Sequence, residues 1–170
     1  MKYAVFLDVD GVFTSTRVHY AENSDGMMWR KFDPIAVDFM NRINDTYVDV
    51  GFVLSSTWRD HLNTESPHIQ LWIESSFANA GFKGTLAYPH WKVNPENDID
   101  MWTKRRAVEI KHYLEELHPE IEDYIIFDDS DYNFNEVLGK KRFVKTDPEN
   151  GILWRHMKDS MSIMGTWDKK

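Results

Sequence analysis

The sequence contains no cysteine. Disulfides, thiolate zinc sites and cysteine nucleophiles are therefore excluded. There is no excess of positive charge either. The formal net charge is −8, so long-range attraction to a nucleic-acid backbone is not expected to drive binding, and extended nucleic-acid binding is not expected. Local basic clusters remain at Lys104-Arg105-Arg106 and Lys140-Lys141-Arg142. No apolar run approaches the roughly 20 residues that span a bilayer. Met1-Lys2 leads straight into Tyr3–Leu7 and then Asp8, without the pattern of a signal peptide. These absences together set the expectation of a cytoplasmic protein that does not contact membranes. No repeat, low-complexity tract or Pro/Gly/Ser-rich linker interrupts the chain, so one domain over residues 1–170 is expected.

What is present can build a core. Hydrophobic residues make up 42% of the 170-residue chain, which separates it from disordered sequences and suffices for one sizeable core. Short apolar runs at Tyr3–Leu7, Val50–Leu54 and Tyr124–Phe127 read as buried strands, and Arg142–Thr146 as an edge-like one. Gly84–Pro89 reads as a further short strand. Between them lie helical patterns. Asp33-Pro34 opens one helix as N-cap and first residue, with Ile35, Ala36, Phe39, Met40 and Ile43 as its apolar stripe. Residues 60–83 read as a second helix carrying Ile69, Trp72, Ile73, Phe77 and Ala80 on one face, stopped by Gly81. Ala107, Ile110, Leu114 and Leu117 mark a third that Pro119 ends, and Gly151–Met164 reads as a terminal helix. Alternating strands and helices predict an α/β fold, a three-layer sandwich around a mostly parallel sheet.

The chemistry sits at strand ends. The first strand ends in Asp8-Val9-Asp10-Gly11, the second in Ser55-Ser56-Thr57-Trp58-Arg59, the third in Asp128-Asp129-Ser130-Asp131. Open parallel sheets bind ligands beyond the carboxyl ends of their strands. If these strands are neighbours, several carboxylates and hydroxyls share one crevice. Such acids repel unless a cation or protons intervene. An oxygen-only donor set without His or Cys suits Mg²⁺, which binds through one or two carboxylates plus a substrate phosphate. Hydroxyls and a basic side chain would hold the phosphate oxygens. Phosphoryl transfer needs these parts, and a carboxylate can split it through an aspartyl-phosphate.

Asp8-Val9-Asp10-Gly11-Val12 resembles the first motif of the haloacid dehalogenase (HAD) superfamily of phosphatases. Val53-Leu54-Ser55 resembles the second, and Phe127-Asp128-Asp129 the fourth. The third, a lone basic residue at a helix start, is matched best by Arg106, with Lys104 and Arg105 as competitors. The four occur in the family's order from Asp8 to Asp129. The resemblance implies a HAD-like Rossmannoid fold and a hydrolase of phosphoric monoesters. It makes Asp8 the nucleophile and Asp10 the acid and base, with Ser55 and Arg106 (or Lys104) on the phosphoryl group. It assigns Mg²⁺ to Asp128, Asp129 or both, completed by Asp8 and the backbone carbonyl of Asp10. Ser55-Ser56-Thr57-Trp58-Arg59, Arg106–Ile110, Asp128-Asp129, and Thr146-Asp147 with Gly151-Ile152 resemble a subgroup found in phages, bacteria and RNA-repair proteins. Thr57 is inserted where many members run Ser into Trp, and Arg stands where Lys is commoner. Arg can clamp two phosphoryl oxygens, so the role survives.

Structural readings compete at several positions. Ser56 and Thr57 can cap a helix beginning near Arg59. Arg59 can bind phosphate or pair with a buried acid. Asp131 is expected as an N-cap, Trp72 as core, and the histidines as structural or surface groups. Trp29, Trp91 and Trp102 fall in less regular segments and could stack on a base, although packing is the simpler role. The spans between motifs leave no room for a large cap domain, with at most a flap over Thr14–Met28. An open site admits a nucleotide or a nucleic-acid 3′- or 5′-terminal phosphate, and an oligomer partner could close it. A small-metabolite or phosphoprotein phosphatase of the same mechanism, or a non-catalytic phosphate-binding module, are the alternatives.

Overall fold

The computed structural model describes residues 1–22, 32–61, 67–87 and 99–170. Five strands, β1 (Tyr3–Leu7), β2 (Val50–Leu54), β3 (Leu86–Ala87), β4 (Asp123–Asp128) and β5 (Phe143–Lys145), form one sheet in the order β3-β2-β1-β4-β5. Every pairing is parallel. Strand β1 is central and fully buried, as its unbroken apolar run requires. Its neighbours keep level register: Leu7 stands opposite both Leu54 and Phe127.

Alternate side chains of the strands build two cores. Val5, Leu7, Phe52, Leu54, Ile125 and Phe127 pack on one face with helices α2 (Pro34–Thr46), α3 (Pro67–Asn79) and α6 (Trp154–Ile163). Ala4, Phe6, Val53, Tyr124 and Ile126 pack on the other with α4 (Ile99–His112) and α5 (Phe134–Leu138). This is the three-layer sandwich that the alternation predicts. Between β1 and β2, only α1 (Thr16–Glu22) and α2 occur among the described residues, so no large cap is built there. No helix among the described residues is long and apolar enough to cross a membrane.

Several local expectations need correction. Helix α2 starts as read, with the Asp33 carboxylate accepting the Ile35 N–H at 2.9 Å. Ile35, however, is 45% exposed. The buried stripe centres on Ala36, Val37, Met40 and Ile43, and Ile35 lies about 140° around the helix from Met40 at 3.6 residues per turn. The helix expected over 60–83 is a 3₁₀ turn at Thr57–His61 followed by α3, which Gly81 ends with a φ of +83°; residues 62–66 lie outside the described set. Trp72 is not core: Ile73 and Phe77 take the buried face, and Trp72 is 43% exposed. After α4 the chain makes a π turn over Tyr113–Leu117, with the His118 N–H bonded to the Tyr113 carbonyl. The extra residue in that turn buries Tyr113 and rotates Leu117 outward. Asp131 accepts the Asn133 N–H at 2.8 Å in an Asx turn, and Asn133 itself occupies the N-cap position of α5. The terminal helix begins at Trp154, three residues later than expected, and continues into a 3₁₀ turn at Met164–Thr166.

His156 ties down the start of α6. Its Nδ1 accepts the Leu153 N–H at 3.1 Å, and the side chain is buried. Burial, and then the charge of Arg155, push its pKa below the usual imidazole value of 6.5. The folded chain therefore holds His156 neutral while the unfolded chain takes up a proton first. This stabilisation is complete above about pH 6.5 and is lost as acidity carries the solution down through the lowered folded value. On going from about pH 7.5 to pH 5.5, the urea midpoint of the wild type should fall relative to that of His156→Gln, a comparison that cancels the opposite contribution of other titrating groups.

Candidate active site

The level register sets the site. The residues after Leu7 and Leu54, and the one after Phe127, are Asp8, Ser55 and Asp128, so three chemically capable side chains leave adjacent strands at one edge. Backbone bonds lock them there: Asp8 N–H to Phe127 O at 2.9 Å, and Ser55 N–H to Leu7 O at 2.8 Å. Helix α4 brings Arg106 into the same spot. Its Nη1 donates to Asp8 Oδ2 at 2.7 Å and also to Asp128 Oδ2. The guanidinium lies 4.6 Å from the ring centroid of Tyr132.

All three of these charged groups are buried. Burial works against the charge on Arg106, but Asp8 and Asp128 more than offset it and hold its pKa above the ordinary value. Burial first, and the neighbouring charge of Asp8, push Asp128 up to about 7 against the pull of Arg106. Asp129 is raised too, again by burial first and Asp8 second. Carboxylate oxygens of Asp8, Asp128 and Asp129 come within 4.8 Å of one another. The loop after β1 permits this approach. Gly11 has a φ of +72°, and a Cβ there would lie 2.5 Å from Asp129 Cβ.

Residues 4–157 match the family model described as the HAD domain in Swiss Army Knife RNA repair proteins. The chain belongs to this family. Neither a curated protein nor a solved structure gives a match. Membership supports a phosphatase-type hydrolase.

In this HAD domain the remaining candidates fall into distinct places. Asp10 is exposed, and its carboxylate joins Thr14 and Trp58 instead of the cluster of three acids: Thr14 Oγ1 donates to Oδ1 at 3.0 Å and Trp58 Nε1 to Oδ2 at 3.1 Å. Ser55 is buried, and its hydroxyl has no hydrogen-bond partner among the described residues. Ser56 Oγ accepts the Trp58 N–H at 3.3 Å, so it caps the turn that follows β2. Arg59 is buried and paired with Glu109, which also accepts from Arg105 Nε at 3.1 Å. Lys104 reaches Glu136 at 3.0 Å. Of the three basic residues at 104–106, Arg106 is the one bonded to Asp8. Trp29 and Trp91 lie outside the described residues, as does the side chain of Trp102.

Two hollows are lined by residues of the site. One, of about 550 Å³, is lined by Asp10, Thr14, His19, Tyr20, Trp58 and Asp129. The other, of about 140 Å³, is lined by Ser55, Ser56, Arg59, Arg106 and Tyr132. Pattern reading missed Tyr132, Thr14 and the bond from Trp58 to Asp10. The Ser-Thr-Trp-Arg run signalled the last of these, since a tryptophan four residues beyond the end of β2 can reach the neighbouring strand tip.

Proposed function

We propose that the chain is a Mg²⁺-dependent phosphomonoesterase that works through an aspartyl-phosphate on Asp8 and acts on a nucleotide or a nucleic-acid terminal phosphate. One observation carries this reading: Arg106 bridges Asp8 and Asp128 at the level ends of β1 and β4, next to a cleft that begins at Asp10.

The donor set fits the metal. Three carboxylates within 4.8 Å, two of them raised in pKa by burial and mutual charge, form an anionic oxygen site of the kind hard cations take. Asp8, Asp128 and Asp129, with the backbone carbonyl of Asp10, would hold the ion. Mg²⁺ bound there supplies charge neutralisation for the phosphoryl oxygens.

The chain's own groups carry the rest. A carboxylate oxygen of Asp8 attacks phosphorus as the bond to the leaving oxygen breaks. Asp10 gives that oxygen its proton. Asp10, now a carboxylate, then takes a proton from the water that attacks phosphorus. The bond between phosphorus and Asp8 breaks, inorganic phosphate departs, and both aspartates return to their starting states. Arg106 and the Ser55 hydroxyl donate to the non-bridging oxygens. The leaving group occupies the cleft at Asp10, where the exposed ring of Tyr20 sits 5.3 Å from that of His19 and offers a face to a base. The family description, which names RNA repair proteins, supports a nucleic-acid end.

A substrate panel tests the proposal. The protein with Mg²⁺ should hydrolyse p-nitrophenyl phosphate together with mononucleotides, oligonucleotides carrying a terminal phosphate, or both. EDTA should abolish turnover. Turnover of sugar phosphates or phosphopeptides in preference to every nucleotide would replace the substrate reading. Full activity in EDTA would remove the metal.

A further inference from the structure

We propose that Trp58 is a positioning residue for Asp10, its indole N–H holding the carboxyl group where it can exchange a proton with the leaving oxygen. This rests on the phosphomonoesterase reading.

Asp10 is exposed and stands in the loop beyond β1, so its carboxyl needs partners to fix its orientation. Two side-chain donors do so. Thr14 Oγ1 holds Oδ1 at 3.0 Å from within the same loop, and Trp58 Nε1 holds Oδ2 at 3.1 Å from the segment after β2. With both oxygens tied, the plane of the group is set. The tryptophan is itself immobilised. It is 7% exposed, its ring stacks on Trp72 at 5.0 Å with a 24° interplanar angle, and its backbone N–H is bonded to Ser56. The partly exposed Trp72, which the helix pattern assigns to the core, acts as the support under Trp58.

The chemistry of the donor matters. An indole N–H donates and cannot accept, so it takes no proton from Asp10. It is also neutral. A Lys or Arg in its place would favour the anionic carboxylate and hinder the acid half of the cycle. Each carboxyl oxygen has two lone pairs. One on each is engaged, and the second stays available for the proton that moves. The same pair of bonds therefore serves Asp10 as acid and as base.

The test compares two esters in the Mg²⁺-loaded protein. A nucleoside monophosphate expels an alkoxide, which needs the proton from Asp10; p-nitrophenyl phosphate expels a stabilised anion, which does not. Trp58→Phe keeps an aromatic ring and removes the N–H. It should lower kcat/KM on the nucleotide by about 10- to 100-fold. The loss on p-nitrophenyl phosphate should be at least about tenfold smaller, because general acid help is what the aryl ester does without. Most of the change should lie in kcat. Trp72→Phe, which keeps an aromatic support and leaves the N–H in place, should keep the wild-type ratio between the two esters. Thr14→Val unties the other oxygen and should shift the ratio in the same direction, so the proposal stays testable if Trp58→Phe folds poorly. Equal losses in kcat/KM on both esters, or no loss on either, would overturn the positioning role while leaving the phosphomonoesterase reading intact. A wild type inert toward every phosphate ester would overturn both.

Discussion

Asp8→Asn is expected to lower kcat at least about 10³-fold on any phosphate ester while the protein stays folded. The amide matches the carboxylate in shape, and its oxygen can still accept the Val9 N–H, a bond of 2.8 Å in the native chain. What it loses is the negative oxygen that attacks phosphorus. The electrostatic change has two opposing sides. The variant loses the ion pair of Arg106 with Asp8 at 2.7 Å. Asp8 raises the pKa of both Asp128 and Asp129, so removing its charge relieves repulsion within the acidic cluster. Arg106 keeps its bond to Asp128. With these contributions opposed, thermal melting should stay close to that of the wild type as turnover disappears. A variant retaining activity within about tenfold of the wild type would place the nucleophile elsewhere.

Arg106→Ala is expected to have the largest effect on stability. Arg106 is the cation bonded to both Asp8 and Asp128, and all three are buried. Deleting one partner of a buried ion network leaves the others uncompensated, at a cost of about 3–5 kcal/mol. The substitution also takes the guanidinium off the face of Tyr132. Urea unfolding should show the loss directly. If the uncompensated acids hold Mg²⁺, adding the ion should return part of the stability by mass action, and more in Arg106→Ala than in the wild type. Arg106→Lys should recover charge without the forked geometry that serves two carboxylates together, and so rescue stability better than turnover. An Arg106→Ala protein as stable as the wild type would mean that the acids are relieved by protons or by solvent.

The fold was largely legible because its signals are local. Tyr3–Leu7, Val50–Leu54 and Tyr124–Phe127 are uninterrupted apolar runs, and each ends in a polar residue that marks the strand tip. Strand order followed less directly, since pairing depends on contacts between distant segments. What the sequence leaves out is rotational phase. Ile35 and Leu117 sit at apolar spacing yet face solvent, one because a different stripe packs and the other because a π turn adds a residue. Trp72 shows the same limit, its apolar ring serving Trp58 and not the core. Within the site, Asp8, Asp10, Ser55, Arg106 and Asp128 were readable from position and type. Arg59 and Lys104 were not separable from Arg106 by spacing alone. Their partners Glu109 and Glu136 lie far along the chain, and only packing brings them together.

The proposed reaction requires Asp8 to take the phosphoryl group. Rapid acid quenching of the Mg²⁺-loaded protein during turnover, followed by peptide mass spectrometry, tests it most directly. One added phosphoryl group should appear on the peptide bearing Asp8, sensitive to hydroxylamine and absent from Asp8→Asn. Active protein with no adduct at any quench time, or an adduct on a different residue, would contradict it.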